Sequence, residues 1–206
     1  MTTITNNETS SSSLLQLKGL VLAGGKSSRL GQDKSKIKWN GKEQMFYVAE
    51  HLQSFCNEVF ISRRNNEESY NIPFKIIPDN NNFYGPIAGI LSAFEQFPQA
   101  AWLVVACDLP LFNYEAVSFL VNQRDCLKVA TSYESPRDGS PEPLAAIWEP
   151  AAFNILKTAV NNGFTCPRKI LMQNNIKLVT PANSDFLKNV NTKEDMESVR
   201  KIFSLI

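Results

Sequence analysis

The run AAWLVVAC at residues 100–107 constrains this chain more than any other segment. It is apolar at every position. A strand with one wet face alternates polar and apolar residues, so a run without alternation is covered on both faces, as in a parallel sheet. It is far shorter than the roughly 20 residues needed to cross a bilayer. We read residues 102–108 (WLVVACD) as a buried strand in the middle of such a sheet, ending on Asp108. Similar strands are expected at 17–23 (LKGLVLA), 58–62 (EVFIS) and 74–78 (FKIIP), alternating with helices at 43–55, 87–97 and 114–122. Spacings of three put Phe46, Ala49, Leu52 and Phe55 on one helix face. Ile87, Ile90, Leu91 and Phe94 form a stripe on the next helix. This β-α-β rhythm predicts an α/β, Rossmann-like fold: a mostly parallel sheet with helices on both faces, in three αβα layers. After residue 122 come two strands, LKVATSY and PLAAIWEP, joined through SPRDGSPE, then short helices at 151–161 and 167–174. The terminal helix has a capping box in Asn191 and Glu194. A chain of 206 residues suits one domain, spanning 15–206, after a polar lead-in at 1–14 that is expected to be disordered.

Ligands of such sheets bind beyond the carboxyl ends of the strands. The loops after Ala23, Ser62, Pro78 and Cys107 are therefore where function is expected. A net charge of +1 offers no global basic field for nucleic acid or a membrane surface, so anion binding needs a local cluster. LAGGKSSRLGQDKSK, residues 22–36, supplies one. Gly24, Gly25 and Gly31 let backbone amides approach a phosphate, while Lys26, Arg29, Lys34, Lys36 and Lys38 face a single acid, Asp33. It is neither a Walker A loop nor G-x-G-x-x-G. The plainer alternative is a solvated basic turn. The four cysteines contain no C-x-x-C pair and there is one histidine, which argues against structural zinc. Scattered cysteines without a signal peptide point to a reducing compartment, the cytoplasm.

The loop LAGGKSSRLGQDK resembles the signature of the molybdenum cofactor guanylyltransferases, within the Rossmann-like nucleotidyltransferase superfamily. The likeness continues at Pro78-Asp79, at Gly85-Pro86-Ile87-Ala88-Gly89-Ile90, at Cys107-Asp108-Leu109-Pro110 and at Asn189-Val190-Asn191-Thr192 with Glu194 and Asp195. It covers residues 17 to 200. Lys193 replaces the proline of the last motif. The resemblance implies that Leu22, Ala23, Gly24 and Gly25 bind the nucleotide through backbone, Lys34 its phosphates and Asp79 the nucleoside. Arg29, Lys34 and Asp108 are the implied catalytic set, with Asp108 holding Mg²⁺. Ser62 stands where many members have asparagine, at the end of the second strand. The implied substrates are GTP and a molybdopterin-type phosphorylated acceptor, and the implied partners are other proteins of cofactor biosynthesis. Double glycine after Leu-Ala favours guanine by resemblance. Transfer of cytidylyl to the same acceptor, a sugar-phosphate nucleotidyltransferase and a non-catalytic nucleotide binder are the alternatives.

Several residues have a plainer reading. Asp108 could cap the following helix and Asp79 could form an Asx-turn. Asn191 is expected to cap the last helix, with Asn189 pointing the same way and adding a polar contact near the metal. Glu142, before Pro143-Leu144, would oppose an anionic acceptor if it faced one. Arg168 and Lys169 fit an acceptor phosphate or a solvated face equally well. His51 is read as structural, and Trp39, Trp102 and Trp148 as core.

Overall fold

The computed structural model describes residues 16–24, 34–39, 41–64 and 73–204; the lead-in expected at 1–14 lies outside them. The elements in chain order are β1 (Leu17–Leu22), a 3-10 turn at Lys34–Lys36, a small hairpin of β2 (Lys38–Trp39) and β3 (Lys42–Glu43), α1 (Gln44–Gln53), β4 (Val59–Arg63), β5 (Lys75–Pro78), α2 (Pro86–Gln96), β6 (Ala101–Ala106), α3 (Tyr114–Asn122), β7 (Ala130–Glu134), β8 (Pro141–Trp148), α4 (Ala152–Asn161), α5 (Pro167–Met172), β9 (Lys177–Val179), a second 3-10 turn at Ser184–Leu187 and α6 (Lys193–Phe203). Seven strands form one sheet in the order β5-β4-β1-β6-β8-β7-β9. Strands β5, β4, β1 and β6 are mutually parallel. Strand β8 runs antiparallel to both β6 and β7, and β7 is parallel to β9.

The expected buried run is indeed interior, with every residue of β6 covered. Its surroundings differ from a purely parallel sheet, because β6 has a parallel neighbour on one side and the reversed β8 on the other. Both faces of β6 are in use. Ala101, Leu103 and Val105 join the core under α1 and α3, while Trp102 and Val104 join the core under α2, α4 and α5. This period-2 division makes the three layers. All three tryptophans are buried, as expected of core residues. The stripe Ile87, Ile90, Leu91 and Phe94 on α2 is fully covered.

The face of α1 needs correcting. Met45, Val48, Ala49 and Leu52 are the buried apolar positions, at i, i+3, i+4 and i+7, in place of Phe46, Ala49, Leu52 and Phe55. Phe46 and Phe55 sit at the rim, stacked on Phe74 and tilted on Tyr114. The cap of α6 is also shifted by one residue. Thr192 accepts from the Asp195 N–H, and the Asp195 carboxylate accepts from the Thr192 N–H, so the capping box is Thr192/Asp195 and not Asn191/Glu194. The Asn191 side chain is engaged elsewhere. A third, smaller core of Ile37, Trp39, Leu111, Val190 and Val199 joins the hairpin to α6. Among the described residues no helix is long and apolar enough to cross a membrane. The four cysteines are free.

Candidate active site

The chain leaves β1 toward β4 and β5 on one side, then returns to β6 on the other. Between β1 and β6 the connection reverses direction, which opens a crevice at the carboxyl edge of the sheet. A cleft of about 190 Å³ lies there. Seven of the expected residues line it: Leu22, Ala23, Gly24, Lys34, Ser62, Asp79 and Asp108. They come from the ends of β1, β4, β5 and β6 and from the 3-10 turn. Gly25 and Arg29, expected to serve the phosphates, lie outside the described residues.

One end of the cleft holds Ser62 and Asp79. Ser62 is almost fully buried, and its hydroxyl donates to Asp79 Oδ1. The serine therefore positions the carboxylate, since a short hydroxyl at this depth has little reach toward a ligand of its own. Burial pushes the Asp79 carboxyl above its ordinary range, and the Ser62 hydrogen bond and the Arg64 charge pull it back. The Asx-turn that Asp79 might have made belongs to its neighbour: the Asn82 N–H donates to the Asn80 side chain. Two glycines allow the close packing here. A Cβ on Gly24 would meet Asp79 Oδ2 at 2.8 Å, and one on Gly89 would meet Ser62 Oγ at 2.3 Å and Leu22 Cδ2 at 2.7 Å. The Gly85-Pro86 turn that starts α2 also lines this end, with Gly85 at φ +79°.

The other end holds Lys34 and Asp108, with Nζ to Oδ2 at 3.5 Å. Lys34 also donates to Asn191 Oδ1, so the residue expected to cap α6 reaches across to Lys34 at the cleft. Asp108 is not the cap of α3, because the Asn113 side chain accepts from the Ala116 N–H. Burial raises the Asp108 carboxyl, Lys34 opposes that rise, and the nearby charge of Glu142 adds to it. A partly buried carboxylate at a strand end asks for a cation. Among the described residues no group of three His, Cys, Asp or Glu side chains could hold a metal ion. The donor set at Asp108 is thus one carboxylate with open space before it. That suits a hard cation whose remaining ligands are phosphate oxygens and water, as Mg²⁺ prefers.

Beyond Asp108 the surface continues past Asn189 to Glu142 and Arg168. Glu142 does not stand as a bare charge facing an anion, because Arg168 Nη2 donates to it at 2.8 Å. Lys169 faces solvent. His51 packs edge-on against Tyr47, with burial lowering its pKa, far from any catalytic pattern. The sequence reading missed Arg64, which lines the cleft one residue past β4; a basic residue at the carboxyl end of a parallel strand was the available signal. It also missed the pairing of Arg168 with Glu142, for which no local pattern exists.

Comparison with known proteins agrees with this geometry. The profile of the MobA-like NTP transferase domain matches residues 19–176. A molybdenum cofactor biosynthesis bifunctional protein of Synechocystis sp. is 37% identical over 182 residues, covering 87% of this chain and 52% of that protein. The chain thus spans about half the length of that relative. A probable molybdenum cofactor guanylyltransferase of Carboxydothermus hydrogenoformans is 30% identical, covering 90% of this chain and 95% of that protein. Among solved structures, molybdopterin-guanine dinucleotide biosynthesis protein A of Archaeoglobus fulgidus superposes with a TM-score of 0.77, covering 92% of this chain and 100% of that one. At 24% identity that likeness bears on the fold.

Proposed function

Because the chain belongs to the MobA-like NTP transferase domain family and is a nucleotidyltransferase, we propose that it transfers GMP from GTP to the terminal phosphate of molybdopterin, releasing pyrophosphate. The observation that carries this reading is the polarity of one cleft, with a carboxylate–hydroxyl pair at one end and Lys34 opposite Asp108 at the other. In our reading the nucleoside lies against Asp79, and the triphosphate runs from the end of β1 toward Lys34. An oxygen of the acceptor phosphate attacks the α-phosphorus in line, and the bond to the β-phosphate oxygen breaks. The attacking phosphate is already ionised near neutral pH, so the reaction asks for positioning and charge stabilisation more than for a general base. Lys34 offsets charge on the departing pyrophosphate. Arg29 and the Gly24 and Gly25 amides have the same role in this proposal. Asp108 would hold Mg²⁺, which when bound offsets charge on the phosphate oxygens. The proposed compartment is the cytoplasm, where the four free cysteines stay reduced.

The test is a four-nucleotide screen with Mg²⁺ and molybdopterin, following pyrophosphate and the dinucleotide product. GTP is expected to be the productive donor. Titration calorimetry with each triphosphate is the companion measurement. CTP binding as tight as GTP, with pyrophosphate release from CTP, overturns the guanine assignment.

A further inference from the structure

Two more cavities, of about 140 and 270 Å³, run on from the nucleotide cleft. The first shares Asp108 and Leu144 with the cleft. The two share with each other a wall of Glu142, Arg168, Leu187 and Asn189. Glu142 reaches this edge because β8 is reversed: its first residues lie beside the end of β6, where Asp108 stands. Arg168, on α5, donates through Nη2 to Glu142 Oε2 at 2.8 Å and through Nη1 to Ser140 Oγ at 3.1 Å, with Asp138 Oδ2 at 3.8 Å. The guanidinium that lines the cavity next to Asp108 is therefore already occupied by a carboxylate.

A second pair in the protein shows that this one is not built for stability. Arg124 grips Glu149 with bonds of 2.7 and 2.9 Å, and the Glu149 side chain is only 1% exposed. Arg168 and Glu142 are 37% and 24% exposed. Pairs so open to water contribute little and are readily exchanged. They exchange most readily for a ligand that binds a guanidinium better than a carboxylate does. A phosphomonoester is such a ligand, with three strong acceptor oxygens and a charge of about −1.5 to −2 near neutral pH.

We infer that Glu142 and Arg168 form a latch on the acceptor path, opened by a doubly charged phosphomonoester and closed again once that phosphate has been converted to a singly charged one. The inference rests on the nucleotidyl-transfer reading. Before transfer the acceptor phosphate outcompetes the Glu142 carboxylate for Arg168, and the displaced carboxylate turns to water. As an acceptor oxygen bonds to the α-phosphorus, the bond from that phosphorus to the β-phosphate oxygen breaks and pyrophosphate leaves with the electron pair. The acceptor phosphorus now carries one ester oxygen, one bridging oxygen and two free oxygens sharing a single charge. Glu142 then competes for Arg168 on equal terms, and the product loses its strongest anchor. Glu142 thus weakens the hold of Arg168 on either ester by the same factor, which the doubly charged monoester can bear and the singly charged product cannot, and so favours product exit.

The test is titration calorimetry on the full chain with phenyl phosphate and diphenyl phosphate, a monoester and a diester, with GTP titrated separately. Wild type is expected to prefer the monoester. Glu142→Gln is expected to bind both about three- to tenfold tighter, by the same factor for each. Glu142→Ala, which leaves no amide to hold Arg168, is expected to move the same way, and Arg168→Gln to lose both ligands. Phosphate affinity that is unchanged or weaker in both Glu142 variants overturns the latch. Failure of wild type to bind GTP instead overturns the nucleotidyl-transfer reading, and the phosphate titrations still report on the latch.

Discussion

Gly89 is where the stability of the fold and the shape of the cleft meet. It lies on α2, and a Cβ there would stand 2.3 Å from Ser62 Oγ, 2.7 Å from Leu22 Cδ2 and 3.2 Å from Ser62 Cβ. Leu22 Cδ2 is the end of a flexible side chain and can turn away. Ser62 is buried and donates to Asp79, so it cannot move without breaking that bond. Overpacking of this kind costs about 1–3 kcal/mol. Replacing a mid-helix glycine with alanine returns about 0.5–1 kcal/mol. The net loss in Gly89→Ala is then up to about 2.5 kcal/mol, which for a chain of this size lowers Tm by as much as about 10 °C. The sharper quantity is the coupling with Ser62→Ala, which removes the 2.3 Å obstacle and leaves the Ser62 Cβ at 3.2 Å and the movable Leu22 Cδ2 at 2.7 Å. In that background Gly89→Ala should cost less by at least about 1 kcal/mol, within the range found for residues in contact. Urea midpoints of the four proteins of the cycle measure it. Additivity within about 0.5 kcal/mol would mean that the helix shifts as a body and that Ser62 is not the obstacle. GTP binding should weaken in Gly89→Ala, because the displaced serine no longer orients Asp79.

Lys34→Ala should weaken GTP binding by tenfold or more, about 1.4 kcal/mol, without unfolding the protein; an unchanged affinity by calorimetry would move the triphosphate elsewhere. Asp108→Asn should bind GTP within several-fold of wild type, while turnover falls at least about a hundredfold, or 2.7 kcal/mol of barrier. Its Tm without ligand should hold or rise, because the native carboxyl is raised by burial and its ionised form is disfavoured by folding; full activity with Mg²⁺ would reject the metal role. Glu58 accepts from Lys18 and Lys75, which lower its carboxyl from the usual 4.5 to about 2. That stabilisation is complete above pH 4.5 and is lost as pH falls through about 2, so Glu58→Gln should flatten the acid limb of stability in that window. Urea midpoints measured from pH 5 to 2 that run parallel to wild type would contradict the assignment.

What could be read in advance follows from where each signal resides. The apolar run of β6 and the stripe of α2 are local patterns, and a local pattern reports burial directly. The direction of β8 is not local, since PLAAIW would read the same in either sense, and the reversal carries Glu142 to the site. The α1 face was misjudged because Phe46 and Phe55 are large and apolar, yet rim packing on Phe74 and Tyr114 satisfies them. In Asn191-Thr192 two good caps stand side by side. Propensity does not choose between them, and the choice is made by Lys34, 157 residues away, which takes the asparagine side chain. That Lys34, Asp79 and Asp108 meet at one cleft was legible from their motifs; that Ser62 donates to Asp79, and Arg168 to Glu142, needed coordinates.

That same bond between Lys34 and Asn191 sets a timetable for synthesis. The two residues are 157 positions apart, and at ordinary translation rates of about 5–20 residues per second the second follows the first by roughly 8 to 30 s. For that interval β1, β4, β5 and β6 can be emerging and pairing while Lys34 has no asparagine to hold it. Trp39 likewise waits for Val190 and Val199 to complete its apolar cover. A nascent chain arrested before α6 would therefore carry a parallel sheet with an unfinished cleft and a bare hydrophobic corner. Such a chain is one that folding helpers bind before its cleft is complete.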